Sequence, residues 1–419
     1  MKRIQLYINP AVTRIGILLI VVALSLWPTL TRATSSASPT PLPDTELPSE
    51  QTTGEKSEQS EGVNEGQTAG EKNEQSEGES EEVNVKEVVF GHLGDSYEWH
   101  ITSWGHHHLT VPLPVILYSQ LSGWHCFLSS RIAEGGGSYE GMSIAPEGSP
   151  YEGKLVEHDA AGQEVRPLDL SITKVTAALL FNSLLLILLI LGVASWYRRT
   201  GNAHRAPGGF VGFMEMFIMM VNDDVIKSCV GPNYRKFSPY LLTAFFFIFL
   251  NNLMGLIPLF PAGANVTGNI AVTFVLALCT FLAVNLFGSR HYWKEIFWPD
   301  VPLWLKAPLP IMPLIELFGI FTKPFALMIR LFANMMAGHM AMLVLTCLIF
   351  ITASMGPVLN GSMTAASVLF NIFMNVLELL VAFIQAYVFT MLSAVFIGLA
   401  QEGKEEGEGE AESKENTNH

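Results

Sequence analysis

Ionisable side chains recur inside two long apolar stretches near the C-terminal end of the chain. In the first stretch, Glu316, Lys323 and Arg330 follow one another at seven-residue spacing. Asn334 comes four residues after Arg330, and about 100° per residue places all four on one stripe of a helix. His339 faces about 180° away from that stripe. A charged group at membrane depth costs at least ~2.5–3.5 kcal/mol, so such groups usually have a function.

The types of these side chains predict a proton path interrupted by a fixed cation. An arginine stays protonated at physiological pH, so Arg330 attracts carboxylates but cannot relay a proton. His339 and Glu378 can both titrate, and on facing helices they would form a proton-accepting pair. Glu316, about 21 Å from Arg330 along the helix, supplies a carboxylate on the other side of the cation. Two water-accessible half-paths with a barrier between them need this arrangement.

The second apolar stretch also carries a polar face. Four side chains share it: Asn371, Asn375, Glu378 and Gln385. Simpler explanations stay open for some polar groups, since Lys323 can extend to the membrane interface and asparagines can bond neighbouring helices. Arg330 lies within FALMIRLFANMMAG, too far from either end of its apolar run to reach water easily. We therefore expect Arg330 to have a function.

Five apolar segments are long enough to cross a bilayer, which takes about 20 helical residues. They are 179–197, 239–258, 269–288, 313–354 and 363–400. As helices, the last two would be about 63 and 57 Å long, roughly twice the ~30 Å hydrocarbon core. Either each is broken in two, or both lie tilted as a hairpin. The predicted fold class is an all-α polytopic membrane protein with five passes, the last two forming a long tilted helical hairpin, and with a small, mostly β N-terminal module.

Charge is segregated into two appendages. The chain of 419 residues has a net charge of −14, of which residues 44–87 contribute −11 and residues 401–419 contribute −5, leaving a body of +2 that is rich in apolar residues. This division excludes a simple single soluble domain, and the nearly neutral body gives no sign of a nucleic-acid partner.

Composition divides the N-terminal part of the chain into three regions. Residues 1–33 are typical of a signal peptide, because their apolar run of about 12 residues is too short to span a bilayer. Residues 34–87 predict a disordered acidic linker, in which GEKSEQSEG recurs as GEKNEQSEG. Residues 88–172 predict the mostly β module. The membrane domain then covers 173–400, and 401–419 form an acidic tail.

Basic residues at the span ends predict the orientation in a bacterial inner membrane. They follow the first span, precede the second and follow the third: Arg198, Arg199, Arg205, Lys227, Arg235, Lys236, Arg290 and Lys294. The side that carries them is expected to be cytoplasmic. Residues 34–172 would then be periplasmic and the C-terminal tail cytoplasmic, with residues 208–228 along the cytoplasmic surface.

The sequence predicts no metal site and no cofactor. His106, His107 and His108 are consecutive, with His92 and His100 nearby, but consecutive side chains on a strand point different ways, so a solvated loop is the simpler interpretation. The four cysteines are scattered and predict no disulfide: Cys126, Cys229, Cys279 and Cys347. The chain contains no G-x-x-x-x-G-K-[ST] loop, so any nucleotide chemistry belongs to partner subunits.

Two runs in the apolar stretches resemble a known family. KPFALMIRLFANMMAGH (323–339) and ELLVAFIQAYVFTMLSAVFI (378–397) resemble subunit a of the F-type ATP synthase membrane sector, and NNLMGLIP (251–258) looks like that family's second-span signature. The resemblance extends over about residues 173–400 and leaves residues 1–172 without an explanation. It implies a proton-translocating stator subunit whose two half-channels protonate and deprotonate a c-subunit ring, coupling proton flow to ATP synthesis.

The resemblance also implies roles for single residues. Arg330 would be the essential gate arginine that strips the ring carboxylate of its proton. His339 and Glu378 would form the pair that lines the periplasmic half-channel, and Gln385 and Asn334 would lie near the arginine. Asn252 would lie nearer the periplasmic mouth, and Glu316 would lie on the cytoplasmic path. In some family members the acid and the base of the pair occupy each other's helices. Such a swap preserves the pair.

The implied partners are the c-subunit ring, the b-subunit peripheral stalk, membrane lipid and, indirectly, the ATPase head. The chain would be a non-nucleotide-binding subunit of a proton-transporting two-sector ATPase, and whether it counts as an enzyme by itself is left open. So is the coupled ion, H⁺ or Na⁺, whose ligands would lie mainly on the ring. The alternative is a proton-coupled secondary transporter, which predicts internal repeats of spans that the sequence does not contain.

Overall fold

The structure is a computed structural model that describes residues 94–104, 107–120, 122–146, 149–151, 153–159, 163–200, 207–257, 262–297 and 311–401. The predicted signal peptide and acidic linker lie outside the described residues, as does the acidic tail from residue 402 onward.

The described residues of the N-terminal module form nine short antiparallel strands and one short helix, α1 (Ser130–Glu134). The strands are β1 (Glu98–Trp104), β2 (His107–Pro112), β3 (Pro114–Ser119), β4 (Gly123–Leu128), β5 (Ser138–Tyr139), β6 (Met142–Ile144), β7 (Leu155–His158), β8 (Glu164–Val165) and β9 (Leu168–Asp169). They form a β1–β2 hairpin, a sheet of order β4-β3-β9 and a sheet of order β5-β6-β7-β8.

Alternation along β3 builds the core of this module. Val115 and Leu117 point inward, as a two-residue period requires, and are fully buried. They pack with Tyr97, Met142 and other buried side chains. The Tyr97 hydroxyl donates to Asp169 Oδ2 at 2.5 Å, and burial, followed by the Asp169 charge, raises the pKa of Tyr97. The module therefore has a core of its own.

The histidine run lies partly in a strand. Strand β2 begins at His107, so His107 and His108 belong to it, which corrects the expectation of a loop. His92 and His106 lie outside the described residues. Within the described part of the chain, no group of three or more histidine, cysteine, aspartate or glutamate side chains could hold a metal ion.

Five of the described helices are long and apolar enough to cross a membrane. They are α2 (Lys174–Thr200), α5 (Tyr234–Leu256), α6 (Ile270–Phe287), α8 (Ile311–Ile351) and α9 (Pro357–Gln401). Shorter helices connect them: α3 (Gly209–Met219), a π-helical turn (Met220–Ile226), α4 (Lys227–Val230) and α7 (Arg290–Phe297). The predicted fold class, a polytopic membrane protein built of helices with a strand-containing N-terminal part, is confirmed.

The last two helices are continuous. Helix α8 has 41 residues and runs through Pro324, and α9 has 45 residues. A short 3₁₀ turn, Thr352–Met355, joins them, followed by Gly356 at φ 104°, a conformation that favours glycine. The alternative of two broken helices is therefore wrong. Continuous helices of this length exceed the ~30 Å hydrocarbon core, which leaves the tilted hairpin.

The main core of the membrane domain lies between α5, α9 and the segment from α3 to α4. Leu241, Phe245 and Ile248 of α5 are fully buried there. Small side chains of α9, among them Ala386 and Ala394, let the helices approach closely. The segment expected along the cytoplasmic surface also contributes buried side chains to this core: Met214, Val221 and Ile226.

Candidate functional site

His339 on α8 and Glu378 on α9 meet between the two long helices. His339 Nδ1 lies 2.8 Å from Glu378 Oε1, and the two side chains are 11% and 4% exposed. Helix α8 turns His339 away from the Arg330 stripe and toward α9, as about 100° per residue requires. The structure thus forms the buried acid–base pair that the two residue types suggested.

Oxygen atoms surround both ring nitrogens of His339. Besides Glu378, Nδ1 lies 3.0 Å from the Met335 carbonyl oxygen one turn earlier, and Nε2 lies 3.3 Å from the Gly255 carbonyl oxygen on α5. A neutral imidazole carries one N–H donor, whereas the protonated ring carries two. Only the protonated ring can donate to acceptors on both sides, so this pocket can hold a proton at His339.

Glu378 is buried, and apart from His339 little compensates the charge of its carboxylate. Among the described residues, neither carboxylate oxygen accepts a hydrogen bond of ordinary geometry. A Cβ built at Gly338 would lie 2.8 Å from Glu378 Oε1, so the carboxylate occupies space that a larger residue would fill. An underbonded carboxylate that close to a histidine is suited to exchanging a proton with it.

Arg330 lies on the opposite side of α8 and is exposed. Four residues later, Asn334 Nδ2 donates to Gln385 Oε1 at 2.9 Å. That bond ties α8 to α9 one turn from Arg330. The guanidinium is therefore presented outward from a braced part of the hairpin.

Asn252 lies deep between α5 and α9. Its side chain is fully buried. Thr267 Oγ1 donates to Asn252 Oδ1 at 2.6 Å, and Asn252 Nδ2 donates to the Ala382 carbonyl oxygen at 3.4 Å. Ala382 is one helical turn beyond Glu378. A chain of polar groups thus connects the loop before α6 with the turn of α9 that carries Glu378.

Comparison with known proteins identifies this helix arrangement. A family model described as ATP synthase A chain matches residues 180–398. The chain belongs to the ATP synthase A chain family. The assignment to subunit a of a bacterial F-type ATP synthase is thereby confirmed, and with it assembly with other ATP synthase subunits. A second model, described as a domain of unknown function (DUF8433), matches residues 88–170.

Relatives of this chain come from several bacteria. An "ATP synthase subunit a" of Chlorobium phaeobacteroides is 43% identical over 249 residues, which cover 58% of this chain and 69% of the relative. An "ATP synthase subunit a 2" of Prosthecochloris aestuarii is 43% identical over 64% of this chain and 78% of the relative. An "ATP synthase subunit a" of Myxococcus xanthus is 41% identical over 59% and 79%.

The remaining polar side chains of the stripe lie nearer the start of α8. Glu316 is half-buried. Burial, followed by the Glu316 charge, raises the pKa of Tyr292 on α7. Lys323 is half-buried with its Nζ 5.8 Å from the centre of the Phe396 ring. The stripe therefore divides into a partly covered end and an exposed end at Arg330.

The polar residues of α9 likewise include both exposed and buried side chains. Asn375 is exposed, whereas Glu378 and Gln385 of the same predicted face are buried. Asn371 Nδ2 donates to Thr346 Oγ1 on α8 at 3.3 Å, so this asparagine bonds the neighbouring helix, as its simpler explanation held.

Sequence reasoning missed several groups around the pair. They are Gly338, Thr267, Asn265 and the backbone carbonyls of Met335 and Gly255. The glycine immediately before His339 was a usable signal, because a helical glycine often marks a close approach. The carbonyls gave no signal, since every residue has one. Asn265 and Thr267 lie in a loop whose partners are far away in sequence.

Proposed function

We propose that this chain is the proton-translocating stator subunit of a rotary F-type ATP synthase and forms two half-channels beside a c-subunit ring. The observation that carries the proposal is the division of polar groups across α8. The titratable pair His339–Glu378 faces inward, with His339 Nδ1 2.8 Å from Glu378 Oε1. The fixed cation Arg330 faces outward. A ring carboxylate could then approach Arg330 from outside while protons travel within the chain.

Proton uptake runs through the inward side. A proton from the periplasm passes the buried polar groups at Thr267 and Asn252 and reaches His339, whose two ring nitrogens face oxygen acceptors. Glu378 then exchanges that proton with His339 and hands it toward the ring. Arg330 lies about 13 Å from His339 along the helix. Asn334 and Gln385, bonded to each other, hold the intervening turns of α8 and α9 in register.

Proton release uses the other end of the stripe. Arg330 attracts the deprotonated ring carboxylate and blocks direct leakage, because a guanidinium keeps its proton. Glu316, which is half-buried, accepts protons on the cytoplasmic path. The pair and Glu316 therefore serve different sides of the membrane, with the arginine between them.

The outer face of the hairpin is the proposed binding surface for the c-subunit ring. Large apolar side chains around Arg330 and on the neighbouring turns of α9 are exposed: Phe325, Ile329, Leu380 and Ile384. An apolar surface with one cation fits a ring of apolar helices that carries one carboxylate per subunit. The b-subunit stalk and lipid would cover other exposed faces, and the ATPase head would connect through the stalk.

We place the chain in the bacterial inner membrane with the N-terminal module in the periplasm and the C-terminus in the cytoplasm. Basic side chains at Arg198 and Arg199, at the end of α2, support this orientation. Lys236 near the start of α5 and Lys294 on α7 belong to the same side.

The proposed function is tested by replacing Arg330 in the assembled synthase. Arg330→Ala should abolish ATP-driven proton pumping in inverted vesicles while the complex still assembles. Arg290→Ala, which removes an exposed arginine from α7, serves as the matched control and should pump within about twofold of wild type. Normal pumping by assembled Arg330→Ala would refute the mechanism.

A further inference from the structure

The N-terminal module is joined to the membrane domain around Trp99. This β1 side chain is 5% exposed and belongs to a buried apolar cluster with Ala264, Val266 and Val272. Ala178 of α2 completes the cluster, and Val111 of β2 packs against it. The β1–β2 hairpin is thus packed on the loop that precedes α6 and on the first span.

Hydrogen bonds fix the same junction on the side of α2. The backbone N–H of Lys174 donates to the Ser96 carbonyl oxygen at 2.9 Å. The backbone N–H of Val175 donates to Asp95 Oδ1 at 3.1 Å. The segment just before β1 therefore caps the first turn of α2, and the hairpin cannot rotate freely about Trp99.

The loop under Trp99 reaches the His339–Glu378 pair through one side chain. Asn265 lies between Ala264 and Val266, both almost fully buried in the Trp99 cluster. Its Nδ2 donates to the Met335 carbonyl oxygen at 3.4 Å, and its Oδ1 accepts from the Gly268 backbone N–H at 2.8 Å. That same Met335 oxygen lies 3.0 Å from His339 Nδ1.

We propose that the N-terminal module is a clamp on the proton-uptake path: Trp99 holds the loop 262–269, and Asn265 is a positioning residue that shares the Met335 carbonyl with His339. This inference rests on the proposed function. It gives residues 88–170 a role, since the module orders the polar groups that surround the titratable pair. Asn265 itself handles no proton, and it acts through the orientation and hydrogen bonding of His339.

The groups that face His339 make this effect specific. Among the described residues, Glu378 on α9 is the titratable side chain that acts on His339, and α5 and α8 present the carbonyls of Gly255 and Met335. A carbonyl oxygen that already accepts from Asn265 is a weaker acceptor for His339. Removing Asn265 leaves the Met335 oxygen to His339 alone, which favours the protonated ring.

The hydrogen bond from Asn265 to Met335 is also the weakest contact in the series that connects Trp99 with His339. At 3.4 Å it lies beyond the usual range for N–H···O bonds. A small displacement of the loop is enough to break it. Loss of the Trp99 ring would leave a cavity beside Ala264 and Val266 and let the loop move, so truncating Trp99 and removing the Asn265 amide should have the same consequence at His339.

The test measures ATP synthesis by the reconstituted holoenzyme while the pH on the proton-uptake side is varied. Asn265→Leu should shift the midpoint of this pH profile upward by about half a unit and lower the rate about threefold. Trp99→Ala should shift the profile in the same direction. Because Trp99 acts through Asn265, the double variant should shift the profile no further than Asn265→Leu alone.

Two matched controls separate this role from general damage. Trp124→Ala removes a tryptophan of the same module that is 66% exposed and should leave the profile at its wild-type position. Trp99→Phe keeps an aromatic ring in the cluster, so the midpoint of its pH profile should lie closer to wild type than that of Trp99→Ala. The rates are divided by the amount of assembled complex, so a variant that assembles poorly still yields a midpoint.

The clamp is refuted if Asn265→Leu and Trp99→Ala keep the wild-type midpoint, or if their shifts add in the double variant. Arg330→Ala, measured alongside, tests the proposed function separately. If it synthesises ATP normally, the proton path itself is wrong. If it is inactive and the two midpoints stay unchanged, only the clamp is wrong.

Discussion

Gly338 on α8 provides the space that Glu378 occupies on α9, since a Cβ at that glycine would lie 2.8 Å from Oε1 and 2.9 Å from Cδ of the carboxyl group. Contacts that short are not tolerated without movement. The carboxylate is also 2.8 Å from its histidine partner, so any displacement changes the distance over which the pair would exchange a proton in the proposed mechanism.

Gly338→Ala should therefore lower ATP-driven proton pumping at least about fivefold, because even a shift of an ångström at a proton-transfer pair costs far more than a methyl group gains in helix propensity. Gly319→Ala is the matched control on the same helix, where an added Cβ meets nothing within 4 Å. It should pump normally. Equal pumping by both assembled variants would contradict the close approach.

Exchanging the two members of the pair should be tolerated better than changing either one. His339→Glu places two carboxylates together and Glu378→His places two imidazoles together, so each single variant should lose proton pumping at least about tenfold. The double variant restores one acid and one base and should recover most of that loss. Pumping rates of the three variants, normalised to assembled complex, decide the question, and equal losses in all three would count against a paired role.

Thr267 should stabilise the protein through its hydrogen bond to Asn252. Thr267→Val keeps the shape of the side chain but removes the 2.6 Å donor to Asn252 Oδ1, a fully buried residue. The unpaired acceptor should cost about 1–3 kcal/mol of stability. Thermal unfolding of the purified complex would show a lower midpoint for Thr267→Val, whereas Thr267→Ser keeps the hydroxyl and should unfold near wild type. An unchanged midpoint in both variants would mean that the bond contributes nothing.

Asp95 should make the stability of the module–span junction depend on pH. Burial raises the pKa of Asp95 above its ordinary value of 3.8. Because the folded pKa lies above the unfolded one, the stabilising contribution is fully present below 3.8 and is lost as the pH rises through the raised folded value.

Asp95→Asn cannot ionise, and its side-chain oxygen can still accept from the Val175 N–H. It should unfold at least as late as wild type at neutral pH and lose the pH dependence. Asp95→Ala lacks the acceptor and should be less stable by about 1 kcal/mol. Unfolding of the full chain in detergent at acidic and neutral pH provides the measurement, and a wild type whose stability does not change with pH would contradict the expectation.

The sequence alone predicted the membrane architecture and the chemistry of the long hairpin. Apolar segments of sufficient length mark the five spans because a lipid-exposed helix must satisfy its backbone internally and present apolar side chains. Angular periodicity places Arg330 and His339 on opposite sides of α8, and the structure agrees. Residue types alone suggested that His339 and Glu378 could pair.

Other features depended on contacts between distant parts of the chain. Periodicity gives the angle of a side chain on its own helix but not which neighbour covers it, so it could not show that Arg330 is exposed whereas Glu378 is buried. The start of a strand at His107 was missed because three consecutive polar residues do not show a two-residue period.

What the sequence determined by itself is the set of side chains that can carry or repel a proton and their positions along the two long helices. Only the tertiary structure decided that both helices are continuous, that Gly338 admits Glu378, that Trp99 packs on the loop before α6, and that Asn265 of this loop reaches the Met335 carbonyl beside His339. The physical reason is that these relationships rest on excluded volume and backbone carbonyl groups. A glycine in the sequence marks a close approach but not the side chain that fills the space, and backbone carbonyl groups leave no pattern of residue types along the chain.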